Sequence, residues 1–169
     1  MEIYQLRLAR PNDLDQIWAL VQRAVVKMNA EGNMQWNADY PLREDYADDI
    51  CHGGLWCAAT DSGQILGAAC IDREEDPAYR GIVWTAPGPA MSFHRAAVDP
   101  EVQRTGVATA LLKKAMELAR EAGLSSLRLD TYCENRNMRH LLGKLGFRQQ
   151  GEFRLASRPL SFFVYELTL

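Results

Sequence analysis

Apolar and polar positions along the chain follow two periods. Between Ile3 and Leu8 they alternate residue by residue, the pattern of a half-buried strand. From Leu14 the period lengthens. Leu14, Ile17, Leu20, Val21, Ala24, Val25 and Met28 fall on one face of a helix that Pro11 opens and Gly32 ends. Asn33 to Tyr40 shows neither period and reads as a loop. A short acidic helix follows over about Leu42 to Ile50, closed by Gly53-Gly54. Leu55 to Thr60 and Gln64 to Ile71 are apolar runs joined by Asp61-Ser62-Gly63, which predicts a hairpin. Asp72 to Pro89 is irregular. The second half reads as a strand from Phe93 to Val98, a helix running to Gly123, a strand from Ser126 to Thr131, a helix over about Asn135 to Leu145, a strand from Phe147 and a last strand from Leu160 to Leu167.

The resulting order is β-α-α-β-β-β-α-β-α-β-β in one domain spanning 1–169. The long helix carries Val107, Leu111, Leu112, Ala115, Leu118, Ala119 and Ala122 on one face. It links two strands as a crossover, so Phe93–Val98 and Ser126–Thr131 are predicted to run parallel. The remaining strands pair through hairpins. The predicted class is α/β with α+β mixing: a central mixed sheet of six to seven strands with helices on both faces. Phe162, Phe163 and Val164 in the last strand suit either a core or the edge of a homodimer.

Composition narrows the function classes. With 169 residues, 47% hydrophobic and 24% charged, the chain has the makeup of a globular domain with a sizeable core. Its net charge of −3 argues against general binding to nucleic acid or anionic membrane. No run reaches the length of a membrane span, and Met1 to Leu6 lacks the basic-then-apolar pattern of a leader. Cys51, Cys57, Cys70 and Cys133 form no Cys-x-x-Cys pair and no zinc spacing, so no metal is expected. Four free thiols suit a reducing, cytoplasmic setting.

The stretch Val98-Asp99-Pro100-Glu101-Val102-Gln103-Arg104-Thr105-Gly106-Val107-Ala108 carries the strongest chemical signal. Asp99-Pro100 ends a strand, a glycine-containing turn follows, and a helix begins. Such a turn aims several backbone N–H groups at one spot, a natural seat for phosphate oxygens. Gly106 lets backbone approach a bulky anion, and Gln103 and Arg104 add side-chain donors. Taken alone, the spacing also fits an ordinary strand–turn–helix.

Neighbouring segments sharpen this reading. His94-Arg95-Ala96-Ala97-Val98-Asp99-Pro100 precedes Gln103-x-x-Gly106-x-Ala108, and the run Asp130-Thr131-Tyr132-Cys133-Glu134-Asn135-Arg136-Asn137-Met138 and Lys144-Leu145-Gly146-Phe147 follow. This order resembles the GNAT superfamily of acyl-CoA-dependent N-acetyltransferases, in its small bacterial members, densely from Phe93 to Phe153 and more weakly before. The resemblance implies acetyl transfer from acetyl-CoA to a primary amine by direct attack, with a small-molecule acceptor and no metal. It leaves two alternatives: a protein or peptide acceptor, or an acyl-CoA-binding sensor without chemistry. It implies that backbone groups of Ala96, Ala97 and Val98 hold the pantetheine arm, that Gln103, Arg104, Thr105, Gly106, Val107, Ala108 and Thr109 hold the pyrophosphate, and that Asn135 touches the coenzyme. Asn135 is equally a good N-cap.

His94 is the candidate general base, as in the arylalkylamine branch of that superfamily, and strand alternation predicts that it shares a face with Ala96 and Val98. A structural histidine is the other reading. A backbone N–H near Ala97 or Val98 is the implied oxyanion donor. Many relatives carry a tyrosine acid where this chain has Leu142, a departure that leaves the acid role vacant. Trp36 and Trp84 are the candidate acceptor-site aromatics, and Trp36 equally suits the core. Arg73-Glu74-Glu75-Asp76 reads mainly as a solvated loop.

Overall fold

A computed structural model describes residues 3–102 and 104–169. The elements are β1 (Tyr4–Leu8), α1 (Leu14–Ala30), α2 (Arg43–Cys51), β2 (Leu55–Thr60), β3 (Ile65–Asp72), β4 (Met91–Val98), α3 (Val107–Glu121), β5 (Ser126–Tyr132), α4 (Arg136–Lys144), β6 (Arg148–Arg154) and β7 (Ser161–Thr168). The order is the predicted one. The main boundary change is that β4 begins at Met91, two residues before the apolar run suggests.

Seven strands form one sheet in the order β1-β2-β3-β4-β5-β7-β6. Every neighbouring pair is antiparallel except β4 and β5, which α3 connects as a parallel crossover. One face is covered by α1 and α2: Ile17, Leu20, Val21 and Tyr46 pack on Leu55, Cys57 and Cys70. The other is covered by α3 and α4, where Leu111, Leu112, Ala115 and Leu142 meet Phe93, Leu127 and Leu129. Burying one such side chain stabilises the fold by about 1.5–3 kcal/mol. Leu142 is fully buried, so its position belongs to the core. β7 pairs on both sides, with β5 and with β6. Phe162 and Val164 are therefore interior residues, and the dimer-edge reading of that strand falls away.

β5 alternates cleanly. Leu127 and Leu129 enter the core, while Ser126, Arg128 and Asp130 line the opposite face. Arg128 is buried there and carries the irregular 73–90 segment. It donates to Glu75 Oε1 (2.7 Å) and to the carbonyls of Ala86 (2.8 Å) and Gly88 (3.1 Å). Glu166 of β7, equally buried, accepts from Thr85 N, Ala86 N and Ser126 Oγ. These pairings satisfy charges that would otherwise be costly inside the protein.

Gly67 fits β3 beneath the start of α3. A Cβ there would meet Val107 Cγ1 at 2.8 Å and the Ala97 carbonyl oxygen at 2.9 Å. Gly67→Ala therefore has to displace α3 or β4, and is expected to cost about 1–3 kcal/mol by overpacking. Denaturant unfolding checks this; unchanged stability would show that the contact relaxes freely. The thiols give a second test. All four cysteines are free; Cys51 is exposed, and Cys57 and Cys70 are buried. Burial pushes Cys57 up to about 11 and Cys70 higher still, which starves both of thiolate. A thiol reagent at neutral pH should label Cys51 quickly and reach Cys57 and Cys70 only on unfolding; rapid labelling of all four in the folded protein would contradict this packing.

Candidate active site

β4 contains one residue more than β3 opposite it. The register steps from Cys70↔His94 to Ala68↔Ala97, so Ala69 faces both Arg95 and Ala96. Arg95 takes up the excess in the left-handed region, at φ +49°. Its own side chain holds that conformation. The guanidinium donates through Nε and Nη2 to both oxygens of Asp49 on α2, at 2.6 and 2.5 Å, and through Nη1 to Tyr40 Oη at 3.2 Å. Tyr46 Oη donates to the Arg95 carbonyl at 3.4 Å.

The bulge reverses which side chains face which layer. Before it, Met91 and Phe93 enter the α3–α4 core. After it, Ala96 and Val98 pack there and Ala97 turns to α1. The expectation that His94 shares a face with Ala96 and Val98 is thus corrected. Period-two counting fails across an inserted residue, and His94 lies on the α1–α2 side.

β4 and β5 are in register only at Met91↔Leu127 and Ser92↔Arg128. Beyond Ser92 they part. Asp99 N donates back to Leu66 O of the β3 side at 2.9 Å. Strand alternation then turns the backbone groups of Val98 and Ala96 toward the gap and those of Ala97 toward β3. Of the two residues expected to supply an oxyanion donor, Val98 has its N–H on the open side.

Two cavities meet in the gap. A groove of about 870 Å³ is lined by Ala96, Ala97, Val98, Arg104, Gly106, Val107, Ala108, Thr109 and Asn135. These are nine of the eleven residues expected to hold the coenzyme. Thr105 does not line the groove; its hydroxyl donates to the Val102 carbonyl. Gln103 lies outside the described residues. Among the described residues the first backbone bond of α3 runs from Ala110 N to Gly106 O at 2.9 Å, and the N–H groups of Ala108 and Thr109 have no helical partner. Arg104 and Gly106 both have positive φ, +68° and +86°, which curls the turn around that helix end. Asn135 lines the groove and is the N-cap of α4. Its Oδ1 caps α4 through Met138 N at 3.3 Å, and its Nδ2 donates to Gln35 Oε1 at 3.1 Å beside the groove.

The second cavity, a cleft of about 490 Å³, is lined by Trp36, Tyr40, Asp76, His94, Asp130, Phe153 and Phe162, among others. Met28, Trp36, Ala96, Asn135 and Met138 line both cavities, so they adjoin. Trp36 is a core residue packed in the cluster of Ile17, Leu20 and Tyr46, and it also lines the cleft. Trp84 does not. It covers the Arg128 guanidinium, 4.1 Å from its ring centre, and meets Tyr79 edge-on. Cation–π attraction holds it in the 73–90 segment, away from the cleft. Tyr132 is fully buried, stacks on Phe162, and accepts from Leu160 N at 2.9 Å.

His94 is half-buried and hydrogen-bonded through Nε2 to Asp72 Oδ2 at 2.9 Å. Burial pushes Asp72 up, but the hydrogen bond and charge of His94, helped by Glu74 N and the Cys70 thiol, hold it below the usual carboxylate range. An ionised Asp72 only accepts, so Nε2 carries the proton in the neutral ring and Nδ1 keeps its lone pair. Asp130 faces the same side of the sheet. Tyr79 Oη donates to its Oδ2 at 2.6 Å. Its desolvated position pushes the carboxyl up to about 6; the Tyr79 bond pulls the other way, and Asp76 adds to the rise. Asp72, Asp130, Asp49 and Tyr79 received no role from sequence reasoning. For Asp130 a signal existed in the polar half of the Ser126-Leu127-Arg128-Leu129-Asp130 alternation.

With this geometry established, the comparisons with known proteins are specific. Residues 19–147 match the model of the acetyltransferase (GNAT) family. A GNAT-family acetyltransferase of Streptococcus agalactiae is similar over 98% of this chain and 95% of its own, with 30% identity and a TM-score of 0.84. One from Listeria monocytogenes covers 98% and 95% at 20% identity and TM-score 0.78. The ribosomal-protein-S18-alanine N-acetyltransferase of Escherichia coli covers 98% and 94% at 18% identity and TM-score 0.70. The last two share the fold alone. No curated protein matches the chain in sequence. The chain belongs to the GNAT acetyltransferase family and is an N-acetyltransferase.

Proposed function

We propose that the enzyme transfers an acetyl group from acetyl-CoA directly to the primary amine of a small-molecule acceptor. The observation that carries this reading is the meeting of groove and cleft at Ala96, where β4 and β5 part. The groove suits the coenzyme: among the described residues, the first turn of α3 offers unclaimed N–H groups for phosphate oxygens, and nothing beyond its chain neighbours lies within 4 Å of the place a Gly106 Cβ would occupy. The open edge of β4 offers backbone groups to an extended amide-bearing arm, as an added strand would. The cleft, at about 490 Å³, has the size of a small-molecule site. The four unpaired thiols support a reducing, cytoplasmic setting.

Bound there, the coenzyme supplies a thioester carbonyl activated toward nitrogen. The chain does the rest. Alkyl amines are mostly protonated at neutral pH, with a pKa near about 10, so the attacking nitrogen must lose a proton. His94 takes it through Nδ1, directly or through water, while Asp72 fixes the ring and stabilises the imidazolium. The Val98 N–H stabilises the charge that builds on the carbonyl oxygen. A thiol with a pKa of about 8.5 leaves without an acid, which suits a site where Leu142 is core and Tyr132 is engaged with Leu160.

Two outcomes follow. His94→Ala is expected to lower kcat by about 10² or more while the acetyl-CoA Kd stays within about twofold. Steady-state rates and calorimetry check it, and an unchanged kcat from pH 6 to 9 would remove His94 from the mechanism. Gly106→Val forces a β-branched residue to φ +86° and should weaken acetyl-CoA binding at least about tenfold; unaltered affinity would mean that the turn does not hold the pyrophosphate. A peptide acceptor is the competing outcome, registered as release of CoA with peptides and none with small amines.

A further inference from the structure

The proton path described above does not use Asp130. Its Oδ2 is occupied by the Tyr79 hydroxyl. Oδ1 has no partner among the described residues, yet it is not an orphan sealed in the interior, because no buried side-chain oxygen lacks a partner there. It opens onto the cleft that Asp130 lines. Extending the Ser92↔Arg128 register by two residues sets His94 beside Asp130, on the same face and across the gap between β4 and β5. Asp39 and Asp76 line the same cleft. Of the cleft's arginines, Arg95 is neutralised by Asp49, and Arg158 is turned onto the carbonyls of Gln35 and Ser157. Three carboxylates, Asp39, Asp76 and Asp130, thus outnumber the one guanidinium of the cleft lining that is not paired with Asp49, and the excess negative charge lies over an apolar wall of stacked Phe153 and Phe162 rings.

A carboxylate pressed against the attacking nitrogen would stabilise the ammonium and oppose the neutral amine that reacts. An anionic group outside the proton path suits a cation that stays charged. Resting on the reading of this cleft as the acceptor site, we infer that Asp130 selects the acceptor: its free oxygen pairs with a second, non-reacting positive group, so the preferred substrates are diamines and amines bearing another cation. Asp130's raised position on the pH scale agrees with an anion that is poorly solvated until such a group arrives.

The test compares a four-carbon diamine with the matching four-carbon monoamine. Initial acetylation rates are measured, and diamine binding to the CoA-loaded enzyme is followed by calorimetry. The wild type should show a kcat/KM at least about tenfold higher for the diamine, the size expected of one charge-assisted contact. Asp130→Asn keeps an acceptor for the Tyr79 hydroxyl and should bring the ratio to about one, chiefly through KM for the diamine. Tyr79→Phe, which leaves the carboxylate in place, should retain the preference; a merely structural role for the pair would make both variants behave alike. Transfer to both amines at similar efficiency, or a preference that survives Asp130→Asn, overturns the inference and leaves amine acetylation standing. Absence of transfer to any amine, with Asp130-dependent binding of the diamine, overturns the small-amine acetylation reading and with it the substrate preference, leaving only a diamine-binding contact at Asp130. Absence of both transfer and binding overturns both.

Discussion

The pairing of Arg95 with Asp49 is the interaction on which the site depends. A non-glycine residue at φ +49° is unfavourable on its own, by an amount on the order of 1–3 kcal/mol. The bidentate contact to Asp49, with Tyr40 and Tyr46 adding hydrogen bonds, ties the extra residue of β4 to α2. With the bulge in place, His94 faces one side of the sheet while Ala96 and Val98 face the other. His94 stands with Asp72 and Asp130 at the cleft, and the open backbone edge of Ala96 and Val98 borders the groove at the start of α3.

The parting of β4 and β5 completes this division. Two registered pairs are enough to anchor the parallel crossover through α3. Beyond them the sheet opens, and backbone groups that would otherwise form a ladder are available to an extended ligand. Close packing and hydrogen bonds brace the arrangement on both sides. Gly67 brings the start of α3 down onto β3, and Glu166 with Arg128 clamps the segment that carries Tyr79 to Asp130. Both cavities are thus bounded by buried packing.

Much of the fold was legible because its signals are local. The helical period of α1 and α3, the Asp61-Ser62-Gly63 turn and the Asp99-Pro100 stop all depend on neighbouring residues. The glycine turn before α3 was legible for the same reason, and five residues of that turn and helix start, Arg104 and Gly106 to Thr109, line one groove. The catalytic half was less legible. Nothing local marks a bulge at Arg95, because the residue that stabilises it, Asp49, lies on a distant element. The Asp72–His94 pairing joins two antiparallel strands, and Asp130 meets Tyr79 only through the fold. Trp84 was misplaced because an aromatic in an irregular segment reads the same whether it lines a cleft or shields an arginine such as Arg128.

The central claim is direct transfer between two ligands held at once on either side of Ala96. The most direct measurement is the initial-velocity pattern with acetyl-CoA and an accepted amine varied together. Simultaneous occupancy predicts intersecting lines in the double-reciprocal plot. Parallel lines, the mark of a covalent acetyl-enzyme formed before the amine binds, would contradict the account.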